Sequence, residues 1–152
     1  MMSTEQDKGK IELAIFRDFI KLCPLSIDAQ SVEKRMGESE PDIRCIVLGE
    51  GTVAFELVEV CDQTIAAMTS PRRAGESVAF WTSDPTDTIV RSKLHKNYKT
   101  HDPIELLCYT RGRVVTTDDE ILQGLRNWAN AIDCPFRTRT QRHAYRTWGR
   151  YQ

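Results

Sequence analysis

The sequence predicts a three-layer α/β/α domain in which helices cover both faces of a central mixed sheet. Apolar residues recur at helical spacing over residues 10–22, and two strand-like runs flank the turn Gly49-Glu50-Gly51. A capping box starts a further helical pattern near residue 118. Because 40% of the 152 residues are hydrophobic, the chain suits one domain over residues 1–152, with residues 1–9 expected to be flexible.

The first half of the chain reads as a helix followed by a hairpin. Ile11, Ile15 and Phe19 lie on one face of the predicted helix 10–22, and Pro24 cannot continue it. Residues 26–40 then cross to the sheet. Strands are predicted over residues 42–48 and 52–60, and the turn between them pairs them as a hairpin.

The second half alternates helices and strands with less certain spacing. A short helix over residues 62–68 and a loop over residues 69–87 are followed by a helix that Thr86 or Asp87 caps and that runs to residue 98. A buried strand is predicted over residues 104–109 and a helix over residues 118–132. An aromatic run over residues 144–151 is interpreted as a last strand.

Composition excludes several classes of protein. The formal charge of −1 does not indicate a nucleic-acid binder by bulk charge alone. Five scattered cysteines without a CxxC pair indicate buried thiols in a reducing compartment and not a disulfide framework or a zinc ribbon. With no signal-like or membrane-spanning run in the sequence, we expect a cytoplasmic protein that does not enter the membrane.

Two carboxylates of the hairpin are the strongest candidates for chemistry. Asp42 begins one strand and Glu56 lies within the next, so antiparallel pairing is expected to bring them together. Paired carboxylates can hold Mg²⁺ or Mn²⁺, which activates water and stabilises charge on a phosphodiester. Glu12 lies on the apolar face of the first helix and is either a third member of this site or an acid at the edge of an amphipathic stripe.

These residues resemble a known superfamily of nucleases. The resemblance rests on Glu12 in an opening helix, Pro41-Asp42 at the start of a strand, Phe55-Glu56-Leu57-Val58-Glu59-Val60 in the next strand, and Lys93, Lys96 and Tyr98 before Pro103-Ile104-Glu105-Leu106-Leu107. This pattern is similar to the PD-(D/E)XK, or restriction-endonuclease-like, fold, in a branch that reads Glu-x-x-Glu. The resemblance implies metal-dependent cleavage of DNA or RNA, a mobile-element or defence context, and a possible homodimer.

The lysine of that pattern is missing from its usual position. The resemblance places it two residues after Glu56, where this chain has Val58. Glu59 belongs to the opposite face of a regular strand and does not replace it. Lys96 or Lys93, on the downstream helix, is the candidate for a migrated catalytic lysine; the alternative is that both are solvated surface lysines.

Arginines and aromatic residues alternate near the end of the sequence. Arg142, Arg146 and Arg150 are candidates for phosphate contacts, with Tyr145 or Trp148 stacking on bases. The same residues are also compatible with a solvated edge strand. The histidines lack zinc-site spacing, and no Walker loop or nucleophile elbow is present in the sequence.

Two functions from different classes remain open at this point. The first is a metal-dependent nuclease that uses Asp42 and Glu56 as ligands, Glu12 in support and Lys96 or Lys93 near the reacting phosphate. The alternative is a catalytically inactive module of the same fold that binds nucleic acid or a partner protein, and Val58 favours it. A purely structural subunit would show neither metal binding nor salt-dependent affinity for nucleic acid.

Overall fold

A computed structural model describes residues 4–23, 25–62 and 84–129 of the protein. These segments contain α1 (Glu5–Leu22), β1 (Glu33–Lys34), β2 (Ile43–Val47), β3 (Gly51–Glu59), α2 (Thr86–Leu94), β4 (Ile104–Tyr109) and α3 (Asp118–Ala129). The predicted mixed α/β class is therefore confirmed. Three predicted elements lie wholly or mostly outside the described residues. These are the short helix at 62–68, the loop at 69–87 and the last strand at 144–151.

Helix α1 begins earlier than the sequence analysis predicted. Thr4 and Asp7 form a capping box, in which the Thr4 hydroxyl accepts a hydrogen bond from the Asp7 N–H at 3.2 Å and the Asp7 carboxylate accepts one from the Thr4 N–H at 3.3 Å. The prediction of a helix start at residue 10 was wrong because the first turns lack apolar residues. Their capping and the acids near the positive helix terminus favour the helix instead.

The four strands form one mixed sheet in the order β1-β2-β3-β4. Strands β1, β2 and β3 are antiparallel neighbours, whereas β4 runs parallel to β3. The predicted hairpin is confirmed, with strand bounds that shift by one residue at each end. Gly49 and Gly51 adopt φ angles of 86° and 93°, which side chains rarely tolerate, so the glycines permit the tight connection.

The sheet buries a different apolar cluster on each face. On one face, β2, β3 and β4 pack against α1, and the ring centroids of Phe16 and Phe55 are 5.0 Å apart. On the other face, residues of β3 and β4 pack against Val90 of α2 and against Ile121 and Leu125 of α3. The odd-numbered and even-numbered residues of β3 therefore face different helices, as a regular strand requires.

Helix α2 is shorter than predicted. It spans Thr86–Leu94 with Pro85 at the N-cap, so the prediction that Thr86 or Asp87 caps the helix was wrong. The backbone N–H of Thr86 donates to the Asp84 carboxylate at 2.9 Å. The predicted extension to Tyr98 was wrong because the helix ends at Leu94, and the chain then turns toward β4. Lys96 consequently lies after α2 and not on the helix to which it was predicted to belong.

Strand β4 and the described part of helix α3 agree with the sequence analysis. Strand β4 has the predicted bounds. Helix α3 starts at the predicted residue with the expected capping box, in which Glu120 accepts from the Thr117 N–H at 3.0 Å. Residues 130–132 of the predicted helix fall outside the described segments. The crossing segment 26–40 contains a short 3₁₀ helix (Ala29–Ser31) and β1, which the sequence analysis did not predict.

Among the described residues, four cysteines are thiols: Cys23, Cys45, Cys61 and Cys108. Cys45, Cys61 and Cys108 are buried, and burial raises the pKa of the Cys108 thiol to about 12. A neutral thiol is a poor nucleophile, so this cysteine serves the core. Among the described residues, no helix is long and apolar enough to cross a membrane.

We expect Gly9→Ala to stabilise the protein by about 0.5–1 kcal/mol, because alanine loses less backbone entropy than glycine within a helix. A Cβ at Gly9 would lie 3.6 Å from Lys34 Cε, which is an ordinary contact. The matched comparison is Gly124→Ala in α3, whose Cβ would lie only 3.2 Å from Cγ2 of the buried Thr86. Urea unfolding should show a larger gain for Gly9→Ala; equal gains or a loss at Gly9 would contradict this packing.

Candidate functional site

The hairpin places Asp42 and Glu56 at neighbouring positions. Ile43 pairs with Phe55 in the β2–β3 register. Asp42, which precedes Ile43, therefore lies opposite Glu56, which follows Phe55. The Asp42 carboxylate accepts a hydrogen bond from the backbone N–H of Leu57 at 2.8 Å, which ties the start of β2 to β3. The two acids thus lie side by side in the chain pairing, but a different set of lysines contacts each carboxylate.

Asp42 shares a lysine with Glu12. Lys34 Nζ lies 2.7 Å from Glu12 Oε2 and 3.2 Å from Asp42 Oδ1, and all three side chains are largely withdrawn from water. Burial alone lowers the pKa of Lys34, but the hydrogen bond to Glu12 and the attraction to Asp42 outweigh it and raise the pKa above its usual value. Lys34 is therefore a charged ammonium that joins α1, β1 and the start of β2.

Glu56 is buried and contacts two lysines that follow it in the chain. Only 1% of its side chain is exposed, and Glu56 Oε1 lies 2.6 Å from Lys93 Nζ and 3.5 Å from Lys96 Nζ. Its second oxygen, Oε2, is buried and has no hydrogen-bond partner of normal geometry among the described residues. The Tyr98 phenol lies beside this carboxylate, since a side-chain hydrogen bond to Glu56 contributes to the raised pKa of Tyr98.

Tyr98 holds the segment that carries Lys96. Lys96 Nζ lies 5.0 Å from the centroid of the Tyr98 ring, and the Tyr98 hydroxyl donates to the Lys93 carbonyl at 3.4 Å. Burial raises the pKa of Tyr98, and the negative charge of Glu56 raises it further, so the phenol remains protonated. The ring thus orders the chain after α2 and compensates for the early end of that helix.

Val58 and Glu59 do not contribute to this group of charges. Val58 packs against the apolar cluster between the sheet and helices α2 and α3. Glu59 points to the other face of β3, where the Arg113 guanidinium binds both of its oxygens, Oε1 at 2.8 Å. As predicted, Glu59 is no substitute for a lysine at position 58. The cations next to Glu56 come from Lys93 of α2 and from Lys96 after it.

A cavity of about 430 Å³ opens next to Glu12 and Asp42, while Glu56 is not among the residues that line it. Glu12, Lys34, Asp42 and Lys96 are among the residues that line it. Because Lys96 also contacts Glu56, it connects the two lysine–carboxylate groups. The cavity therefore brings together oxygen ligands for a metal ion and ammonium groups that could bind a phosphate.

The donor set suits Mg²⁺ or Mn²⁺ in part. Within residues 4–23, 25–62 and 84–129, no three side chains of His, Cys, Asp and Glu lie close enough together to hold a metal ion. Mg²⁺ is commonly bound by only one or two carboxylates, with water and substrate oxygens as its other ligands. Asp42 and Glu56 are neighbours across the β2–β3 pairing and would be the two carboxylates of such a site.

Two contributors were missed or misjudged from the sequence. Lys34 was not considered because the segment around it has no clear strand pattern, although a lysine beside two partly buried acids is the expected counterion. Tyr98 was assigned to an apolar helical stripe, while its ring contacts Lys96 beyond the helix. Arg142, Arg146 and Arg150 lie outside the described residues.

Loss of Lys93 should destabilise the protein far more than loss of Lys96. Lys93→Met leaves the buried Glu56 with one distant cation and should cost about 3 kcal/mol. Lys96→Met should cost less than about 1 kcal/mol, because its contact is longer and its side chain is one-third exposed. Urea unfolding of both variants tests this order.

The matched control removes both charges. Glu56→Leu combined with Lys93→Met places apolar side chains beside Leu106 and should return the free energy of unfolding close to the wild-type value. If Lys93→Met is neutral on its own, the Glu56 carboxylate does not depend on this lysine.

Comparisons of the chain with protein-family models, with curated proteins and with solved structures found no match. The resemblance to PD-(D/E)XK nucleases consequently rests on the residues of the motif and stays a prediction. The functional argument depends on the described geometry of Glu12, Lys34, Asp42, Glu56 and Lys93.

Proposed function

We propose that this chain is a metal-dependent nuclease-like protein that hydrolyses phosphodiester bonds of DNA or RNA. The observation that carries the proposal is the Glu56 carboxylate, which is 1% exposed, lies next to Asp42 in the hairpin register and contacts two lysines. Buried carboxylates with cationic partners in a cleft are typical of functional sites. A purely structural core would accommodate an apolar residue at this position more easily.

Each residue of the site has a role in the proposal. Asp42 and Glu56 would hold Mg²⁺ or Mn²⁺, which when bound lowers the pKa of water and stabilises negative charge on the phosphate. Lys93 holds Glu56 in place through its 2.6 Å contact. Lys96 lines the cavity and is the better candidate to neutralise the reacting phosphate. Glu12 acts through Lys34 to position Asp42.

The position of Lys93 supports the proposal that the lysine of the nuclease pattern lies on helix α2 in this chain and not on strand β3. Its ammonium reaches Glu56 from α2, while Val58 fills an apolar site. The order of elements, with one helix before the hairpin and a parallel strand after α2, is compatible with a three-layer restriction-endonuclease-like fold. Binding to DNA or RNA and a possible homodimer are parts of the same proposal.

A second candidate function follows from the ion pairs themselves. Glu12, Asp42 and Glu56 each contact a lysine, so their charges are already compensated without a metal ion. A module that has lost catalysis could retain this network and bind nucleic acid or a partner protein. Such a protein would depend on basic surface residues and not on Asp42.

The nuclease proposal predicts metal-dependent cleavage of single- or double-stranded DNA or RNA by the wild type. Asp42→Asn and Glu56→Gln should each reduce the rate at least about a hundredfold, because each removes a charged ligand while keeping the side-chain shape. Asp87→Asn, which changes an exposed acid of α2, is the control for charge and should retain the rate. Circular dichroism establishes that each variant is folded.

Other outcomes decide between the two candidates. Cleavage that survives Asp42→Asn would contradict the assigned site. Salt-dependent binding without any cleavage, retained by Asp42→Asn and lost by combined alanine substitution of Arg142, Arg146 and Arg150, would favour the non-catalytic module.

A further inference from the structure

Lys34 lies between the carboxylates of Glu12 and Asp42, and the proposed metal site uses Asp42 as a ligand. Its ammonium is 2.7 Å from Glu12 Oε2 and 3.2 Å from Asp42 Oδ1, and its side chain is 14% exposed. The other cation near Glu12 is Lys8, at 3.7 Å, but its side chain is 59% exposed. Lys34 therefore provides the main positive charge between these acids.

Both oxygens of Asp42 already have hydrogen-bond donors. Oδ2 accepts from the backbone N–H of Leu57, which is fixed within β3, and Oδ1 accepts from Lys34. A metal ion that approaches Asp42 competes with one of these donors. The ammonium is the easier one to replace because it ends a flexible stem, whereas the backbone N–H belongs to the sheet.

The surroundings of Lys34 allow the side chain to move. Lys34 belongs to the two-residue edge strand β1, and its stem passes beside Gly9, where the absence of a side chain leaves room. It also lines the open cavity of about 430 Å³. A displaced ammonium can therefore enter the cavity without breaking the core.

We propose that Lys34 is an internal cation that occupies the place between Glu12 and Asp42 until a divalent metal ion displaces it. The inference rests on the proposed function, since it takes Asp42 as a metal ligand. Lys34 is then a positioning residue that keeps the two acids close when no metal is bound. Metal binding exchanges one positive charge for two, so Lys34 weakens the apparent affinity for the metal.

The test is the affinity for Mn²⁺, measured by calorimetry on the full chain. Lys34→Gln should bind Mn²⁺ at least about tenfold more tightly than the wild type, because two partly buried carboxylates lose their competing cation. Lys10→Gln is the matched control: it removes the same charge from an exposed side chain of α1 and should leave the affinity within about twofold of wild type. Lys34→Met is a second variant in case Lys34→Gln does not fold.

A measurement on the wild type avoids dependence on any substitution. Acetic anhydride acetylates free lysine amines, and mass spectrometry gives the extent at Lys34. Addition of Mn²⁺ should increase acetylation of Lys34 severalfold because its ammonium leaves the two carboxylates. Lys10 should be acetylated equally with and without the metal.

The outcomes separate this inference from the proposed function. Mn²⁺ binding by the wild type that is unchanged or weaker in Lys34→Gln, with acetylation of Lys34 independent of metal, overturns the inference and leaves the metal site standing. Binding by Lys34→Gln but not by the wild type supports the inference and contradicts an active metal enzyme. No binding by either protein overturns both.

Discussion

The buried carboxylate of Glu56 constrains how the elements around β3 can pack. Its side chain is almost fully buried, so its charge requires a cation within hydrogen-bond distance. Lys93 provides that cation from α2, and Lys96 adds a longer contact from the segment that follows. The position of α2 over β3, the early end of that helix and the packing of Tyr98 against Lys96 are all compatible with this requirement.

A second group of charges organises the other side of the hairpin. Lys34 connects Glu12 of α1 to Asp42 at the start of β2, so an edge strand of two residues is tied to the first helix by an ion pair and not by apolar packing. Ion pairs of this kind contribute little net stability compared with well-packed apolar residues. Glu12, Lys34 and Asp42 all line the cavity of about 430 Å³.

Prediction from the sequence succeeded where the local signals were strong and agreed with one another. The glycines after β2 and the alternating residues of β3 predicted the hairpin, the apolar run gave β4, and the Thr117–Glu120 capping box gave the start of α3. Asp42 and Glu56 could be selected because a strand pairing brings distant residues together in a regular way.

Strand β1 and the role of Lys34 could not be predicted, because two residues have no periodicity and their pairing depends on β2. The start of α1 was missed because its first turns are polar, and the end of α2 was missed because Tyr98 fits a helical stripe in sequence while its ring contacts Lys96 in the structure.

The central claim is that Asp42 and Glu56 together form a divalent-metal site. Anomalous diffraction from crystals soaked in MnCl₂ tests it most directly, because the method locates the metal without relying on activity. The account predicts an anomalous peak in contact with both the Asp42 and the Glu56 carboxylates, and no such peak in Asp42→Asn crystals. A wild-type crystal with no peak there, and with Lys34 still between Glu12 and Asp42, would contradict it.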